Sequence, residues 1–224
     1  MISTRTAEQI AKLRENGEFT DFEFTCNGHT IPVHRVVICS QSPVFHAACN
    51  GEFKEASTRT YSLDSHSLPM VRRMMDFFYT GDYTEESEEE DTGEDAIPVL
   101  SVHAAMFALT DKHNIEDLTV LSAKKYSENL TKNPDVSNFL YSISEVYNST
   151  LTSSRGLRDR ALAFARAKLP GFLTLSDAKE EFDEVTADTP EFIKELLYSF
   201  IRYPLMGHCS NCGTDKQIPT GCTS

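Results

Sequence analysis

Phe22, Phe24 and Cys26 alternate with Glu23 and Thr25, and Asn27-Gly28 follows at once. A period of two places the three apolar side chains on one face of a strand. Asn-Gly is the dipeptide that best tolerates the positive φ angles of a type I′ turn, so the chain is committed to doubling back within two residues. His29-Thr30-Ile31-Pro32-Val33 is the return strand. Pro32 has no amide hydrogen to give a ladder, which puts this strand at a sheet edge or ends it early. Thr60-Tyr61-Ser62-Leu63 is a third short strand.

Most of the remaining pattern is helical. Residues 7–16 form a short helix with Ile10 and Leu13 on one face and Gly17 as its stop. Val36-Val37-Ile38-Cys39 is an apolar run that fits a strand or a buried helix equally. Ser42-Pro43 reads as N-cap and first helical position, with Val44, Phe45, Ala48 and Cys49 as the apolar face and Gly51 as the end. Ser67-Leu68-Pro69 opens another helix, with Met70, Met74, Phe77 and Phe78 turned inward and Gly81 as its stop. Helical spacing resumes at Pro98, pauses at a turn over 111–114, and continues through Leu118, Leu121, Tyr126 and Leu130.

After Asn133-Pro134 the spacing stays at i, i+3, i+4, i+7 through Phe139, Ile143 and Tyr147, then Leu157, Ala161 and Leu169 up to Pro170-Gly171. Thr189-Pro190 caps a last helix carrying Phe192, Leu196 and Phe200. The fold class is therefore α+β over residues 1–132 and all-α over 133–204, with a flexible cysteine-containing tail over 205–224.

Charge narrows the function. The 34 Asp and Glu outweigh 21 Lys and Arg, for a net charge of −13. Such a chain is poorly made to clamp phosphates or anionic membranes, so neither nucleic acid nor a membrane surface is an expected partner. Eight of the acids fall between Glu85 and Asp95, inside a stretch over 84–97 that lacks apolar periodicity and reads as a disordered surface loop. Met1 to Asn16 carries no apolar leader core, and no run of ~20 apolar residues is present to span a bilayer. The expected location is cytoplasmic, nuclear or both. The six cysteines are then not a disulfide framework, and Cys26, Cys39 and Cys49 read as core thiols. The sequons at Asn129 and Asn148 read as ordinary helix-surface residues. No nucleophile elbow, phosphate loop, dinucleotide fingerprint or zinc-protease motif occurs, so the reading is of a non-enzyme.

Several blocks in a fixed order carry a family resemblance: Asp21-Phe22-x-Phe24; Val33-His34-Arg35-Val36-Val37; Ser40-x-Ser42-x-x-Phe45; Gly51-x-Phe53-Lys54-Glu55; Leu63; Phe78-Tyr79-Thr80-Gly81-x-Tyr83; and Phe107-Ala108-Leu109-x-Asp111-Lys112-x-x-Ile115-x-x-Leu118. Over about residues 8–130 the chain resembles a BTB/POZ domain, and its acidic insert and short helical tail are most similar to small fungal members. The resemblance implies a small, mostly antiparallel sheet packed on a helix cluster, followed by an all-α extension.

It further implies a protein-interaction module, a substrate adaptor that joins a cullin scaffold of the third type to an unknown protein substrate in a ubiquitin ligase. The alternative is a self-association scaffold or transcription-related regulator with no ligase link. The family's hydrophobic-x-Glu element reads here as Phe53-Lys54-Glu55, which makes Phe53 and Glu55 partner-binding candidates, with Met75 and Tyr79 as weaker ones. An aromatic anchor offers ~150–250 Å² of surface. Asp21 and Arg35 correspond to a partly buried charged pair beside the family's dimer groove; a homodimer is possible, although Met1 to Thr6 is too short for much strand exchange. His34 reads as a structural histidine. In the tail, His208, Cys209, Cys212 and Cys222 supply four potential zinc ligands, though the adjacency of His208 and Cys209 strains a tetrahedral site. No other cofactor is expected.

Overall fold

The structure, a computed structural model, describes residues 4–85, 97–132, 134–150, 154–174, 178–203, 206–209 and 213–217. The chain begins with α1 (Thr4–Glu15) and then forms the hairpin β1 (Phe22–Cys26) and β2 (His29–Val33). Asn27 and Gly28 take φ of 49° and 82°, the two positive angles that the turn requires. Phe22, Phe24 and Cys26 are buried while Glu23 is exposed, as the alternation dictates.

β3 (Thr60–Ser62) lies on the other side of β1, so the order is β2-β1-β3 and Pro32 sits on an edge strand. β1 and β2 are antiparallel over five pairs; β1 and β3 are parallel over three. Parallel pairing needs a crossover. It is supplied by three short helices, α2 (Arg35–Cys39), α3 (Pro43–Asn50) and α4 (Lys54–Thr58). The ambiguous run at 36–39 is thus helical, with Ile38 buried and Val36 77% exposed. Ser42 caps α3, its hydroxyl accepting from the amide of Phe45 at 3.1 Å and donating to the carbonyl of His113 at 2.7 Å.

α6 (Val99–Lys112) packs against both α5 (Leu68–Thr80) and α7 (Glu116–Lys132), and the three share an apolar core with the sheet. Phe45 is the hub of the first core, 4.8 Å from the ring of Phe24, 5.2 Å from Tyr61 and stacked on His113 at 5.1 Å. Gly81 ends α5 with φ of 82°.

The extension contains α8 (Val136–Asn148), α9 (Arg155–Phe172), α10 (Ala178–Asp188) and α11 (Pro190–Arg202). Pro170 lies inside the last turn of α9 rather than ending it. α10 has no counterpart in the sequence reading, because only Phe182 and Val185 interrupt its charged and small residues. Thr189 stands at the N-cap of α11 without a side-chain capping bond.

A second core forms around Tyr126, Phe139, Ile143, Leu157 and Phe192. α6 serves both cores: Val102, Met106 and Leu109 belong to the first, and Leu100, Ala104 and Phe107 to the second. Beyond α11, β4 (Met206–Cys209) pairs antiparallel with β5 (Gly213–Gln217). Among the described residues no helix is long and apolar enough to cross a membrane.

Candidate functional site

The corner between α3 and α4 places the residues singled out from sequence. α3 ends at Gly51, whose amide donates to the carbonyl of Ala47 at 2.7 Å. A Cβ on Gly51 would lie 2.5 Å from that carbonyl oxygen and 2.9 Å from a ring carbon of Phe53. Only a glycine lets the chain turn here with the Phe53 ring folded across it. Phe53 then takes the N-cap position of α4 and is 61% exposed, an aromatic side chain held outward by backbone rather than by packing.

Glu55 follows in the first turn of α4, half-buried, where a carboxylate complements the helix N-terminus. It also lies near Tyr61: burial raises the phenol's pKa and the charge of Glu55 adds to the effect. α4 packs on α3 and β3, and Arg59 closes it with φ of 57°. An exposed aromatic and, two residues on, a half-buried carboxylate therefore sit on one short, braced element.

Met75 and Tyr79 do not join that surface. Met75 is 1% and Tyr79 5% exposed. The cause is that α5 packs against α1, α2 and α6, so that eight of its 13 residues are buried and little of it remains for a partner. Tyr79 has an internal task instead. Its hydroxyl accepts from the amide of His34 at 3.0 Å and meets Nδ1 of the same residue at 3.1 Å, while Nε2 of His34 meets the carbonyl of Glu18 at 2.9 Å. His34 is a satisfied structural histidine, and the Arg14 guanidinium lies 5.2 Å from the Tyr79 ring.

Asp21 and Arg35 are joined, but not as a pair of charges. The Asp21 carboxylate accepts from the backbone amide of Arg35 at 2.8 Å, at the first position of α2. The guanidinium turns away to the carbonyl of Cys49 and, at 2.7 Å, to the Oδ1 of Asn50. Asp21 is exposed, and the orphan amides of a helix start attract a carboxylate more effectively than a cation free to reach α3.

The start of the acidic stretch is pinned. Lys125 reaches Asp82 Oδ1 and the carbonyl of Tyr83, both at 2.7 Å, and Arg73 Nε donates to the carbonyl of Thr84 at 3.0 Å. The Tyr83 hydroxyl meets His103 Nδ1 at 2.8 Å, and His103 Nε2 lies 3.3 Å from Glu85. Burial holds the His103 pKa down to about 4 against the pull of Glu85. The rest of the acidic run, over 86–96, lies outside the described residues.

Cys26, Cys39 and Cys49 are free thiols packed in or against the first core, and burial pushes Cys49 up to about 12. Of the proposed zinc ligands, His208 and Cys209 fall on β4, and Cys212 and Cys222 lie outside the described residues. Among the described residues no group of three or more His, Cys, Asp and Glu side chains is placed to hold a metal.

Residues 10–119 match the family model of the BTB/POZ domain. The chain contains a BTB/POZ domain. The chain is similar to TD and POZ domain-containing protein 2 of Mus musculus, 27% identical over 160 residues that cover 70% of this chain and 38% of the mouse protein. It is also similar to Kelch-like protein 26 of Homo sapiens, 33% identical over 82 residues, 37% of this chain and 13% of the human protein. The solved BTB domain of human gigaxonin aligns at 21% identity, with a TM-score of 0.40, over 55% of this chain and 94% of that one. The chain thus spans well under half the length of the curated relatives it matches. The likeness to fungal members finds no support in these matches. A BTB domain is a protein-interaction module, and the exposed Phe53 and half-buried Glu55 lie within the matched span.

Proposed function

We propose that this BTB protein is a substrate adaptor that binds the N-terminal region of a third-type cullin through Phe53 and Glu55. The observation that carries the reading is the exposure of Phe53 at the N-cap of α4, two residues before a carboxylate in the first turn of the same helix. Such an aromatic desolvates well in a partner's apolar pocket, while the acid accepts charge-assisted hydrogen bonds at the rim. The relation to Kelch-like protein 26 supports the reading at the level of the family. The test is a pull-down with the cullin N-terminal region. Wild-type chain is retained; Phe53→Ala and Glu55→Ala are not. Retention of both variants removes the assigned interface, and failure of the wild-type chain to bind removes the ligase link.

One observation favours self-association as the second reading. Phe19 is 81% and Val36 77% exposed, and the bond from His34 to the carbonyl of Glu18 brings their two segments together. Light scattering on the purified chain separates a dimer from a monomer, and Phe19→Ser with Val36→Ser shifts the dimer to monomer if this face carries it.

A further inference from the structure

α8 and α10 enclose between them a cavity of about 170 Å³. That is below the ~300–1,000 Å³ of a pocket for a drug-sized molecule or cofactor, and suits a single side chain. Leu140 and Val185 supply its apolar lining. Glu181, Glu184 and Asp188 line it from α10, at i, i+3 and i+7, one face of one helix. Like charges at that spacing repel, and among the described residues none of the three forms an ion pair with Lys, Arg or His.

A second, independent feature is at the same place. Thr189 lines the cavity and is 2% exposed, yet its hydroxyl meets no hydrogen-bonding atom among the described residues. An N-cap threonine ordinarily accepts an amide of its own helix, but here the amide of Phe192 goes to the backbone carbonyl of Thr189. One carboxylate oxygen of Glu181 is likewise buried without a donor. Unmet buried acceptors are costly, and a donor from outside removes the cost.

The acceptors do not form a metal cage. Several separated oxygens above an apolar lining match a planar group with many donors on an aliphatic stem, which describes arginine better than lysine. Tyr141, 57% exposed at the rim, adds an aromatic ring within reach of such a cation. We infer that the cavity between α8 and α10 receives an arginine side chain from a partner protein, with the guanidinium among Glu181, Glu184 and Asp188. The net charge of −13 speeds the approach of a basic segment. This site is on the extension, away from α4, and does not depend on cullin binding.

The test titrates the full chain, labelled with nitrogen-15, with a blocked Gly-Ser-Arg-Ser-Gly peptide. Parallel titrations replace its arginine by citrulline, which has the same shape without the charge, and by lysine. Amide shifts should concentrate in 140–144 and 181–189, with citrulline at least about tenfold weaker and lysine between the two. Glu181→Gln, Glu184→Gln and Asp188→Asn together should remove measurable binding without lowering Tm. Tyr141→Ala, which leaves the acids in place, should weaken binding severalfold and serves if the triple variant fails to fold. Shifts absent from both segments, or equal affinity for the arginine and citrulline peptides, overturn the inference; equal affinity for lysine overturns the choice of arginine.

Discussion

Phe53 shows how a residue can be held for use rather than for stability. Its ring is mostly in solvent, so Phe53→Ala should change the free energy of unfolding by no more than ~0.5 kcal/mol. Gly51→Ala should behave differently, because the new methyl meets the carbonyl of Ala47 and the Phe53 ring. It should destabilise the chain by ~1–3 kcal/mol in urea melts and weaken partner binding as well. Tyr79 is the reverse case. Tyr79→Phe leaves the buried amide of His34 without its acceptor and should cost ~1–3 kcal/mol in the same melts.

His113 carries a pH dependence. Burial, aided by His66 and Lys112, holds its pKa down to about 4, below the ordinary 6.5. The unfolded chain therefore takes up this proton first as pH falls. The stability contributed by neutral His113 is complete above about pH 6.5, declines towards pH 4 and is flat below. His113→Gln should reduce the slope of stability against pH in that window, measured by urea unfolding at pH 7, 5.5 and 4.5. An unchanged slope would mean that the ring is not buried as neutral imidazole.

At the scale of elements, sequence was most legible where a backbone need singles out a residue type. The turn at Asn27-Gly28, the N-cap at Ser42 and the stop at Gly81 are all where the local chemistry puts them. Gly28 has φ of 82° with open space around it, so Gly28→Ala should cost ~1–2 kcal/mol from conformation alone. Other features depend on tertiary context. The run at 36–39 could not be assigned because five residues hold little more than one helical turn, and its helix is secured by Asp21, 14 positions away. The parallel partnership of β3 with β1 leaves no local trace. Met75 and Tyr79 were named from the family pattern alone, and their burial follows from the packing of α5 against α1, α2 and α6, which no local pattern announces. Phe53 and Glu55 could be named from their place within the family pattern, but only the fold shows that the ring faces solvent. The acids of α10 gave no signal as a site, since the cavity they line depends on α8.

The molecule as a whole turns on α6. Its two faces enter two cores, so the extension is not an appendage but the other half of the packing around one helix. Phe107 of α6 lies against Gly156 of α9, where a Cβ would come within 2.9 Å of the ring. A chain ended after residue 132 should therefore expose Leu100, Phe107, Tyr126 and Leu130, melt well below the full chain and self-associate through that face. An unchanged melting temperature would show that the BTB domain does not rely on the extension. The arrangement also fixes the orientation of α8 to α11 relative to the BTB core, which an adaptor needs if one end grips a scaffold and the other a substrate.

Whether Phe53 anchors a third-type cullin is decided by calorimetric titration of the purified chain with the N-terminal region of that scaffold, alongside Phe53→Ala. Saturable one-to-one binding per BTB domain is expected, weakened at least about thirtyfold by the substitution while Tm is unchanged, as befits an aromatic hot spot worth ~2 kcal/mol or more. Equal affinity for the two proteins, or no heat with the wild-type chain, contradicts it.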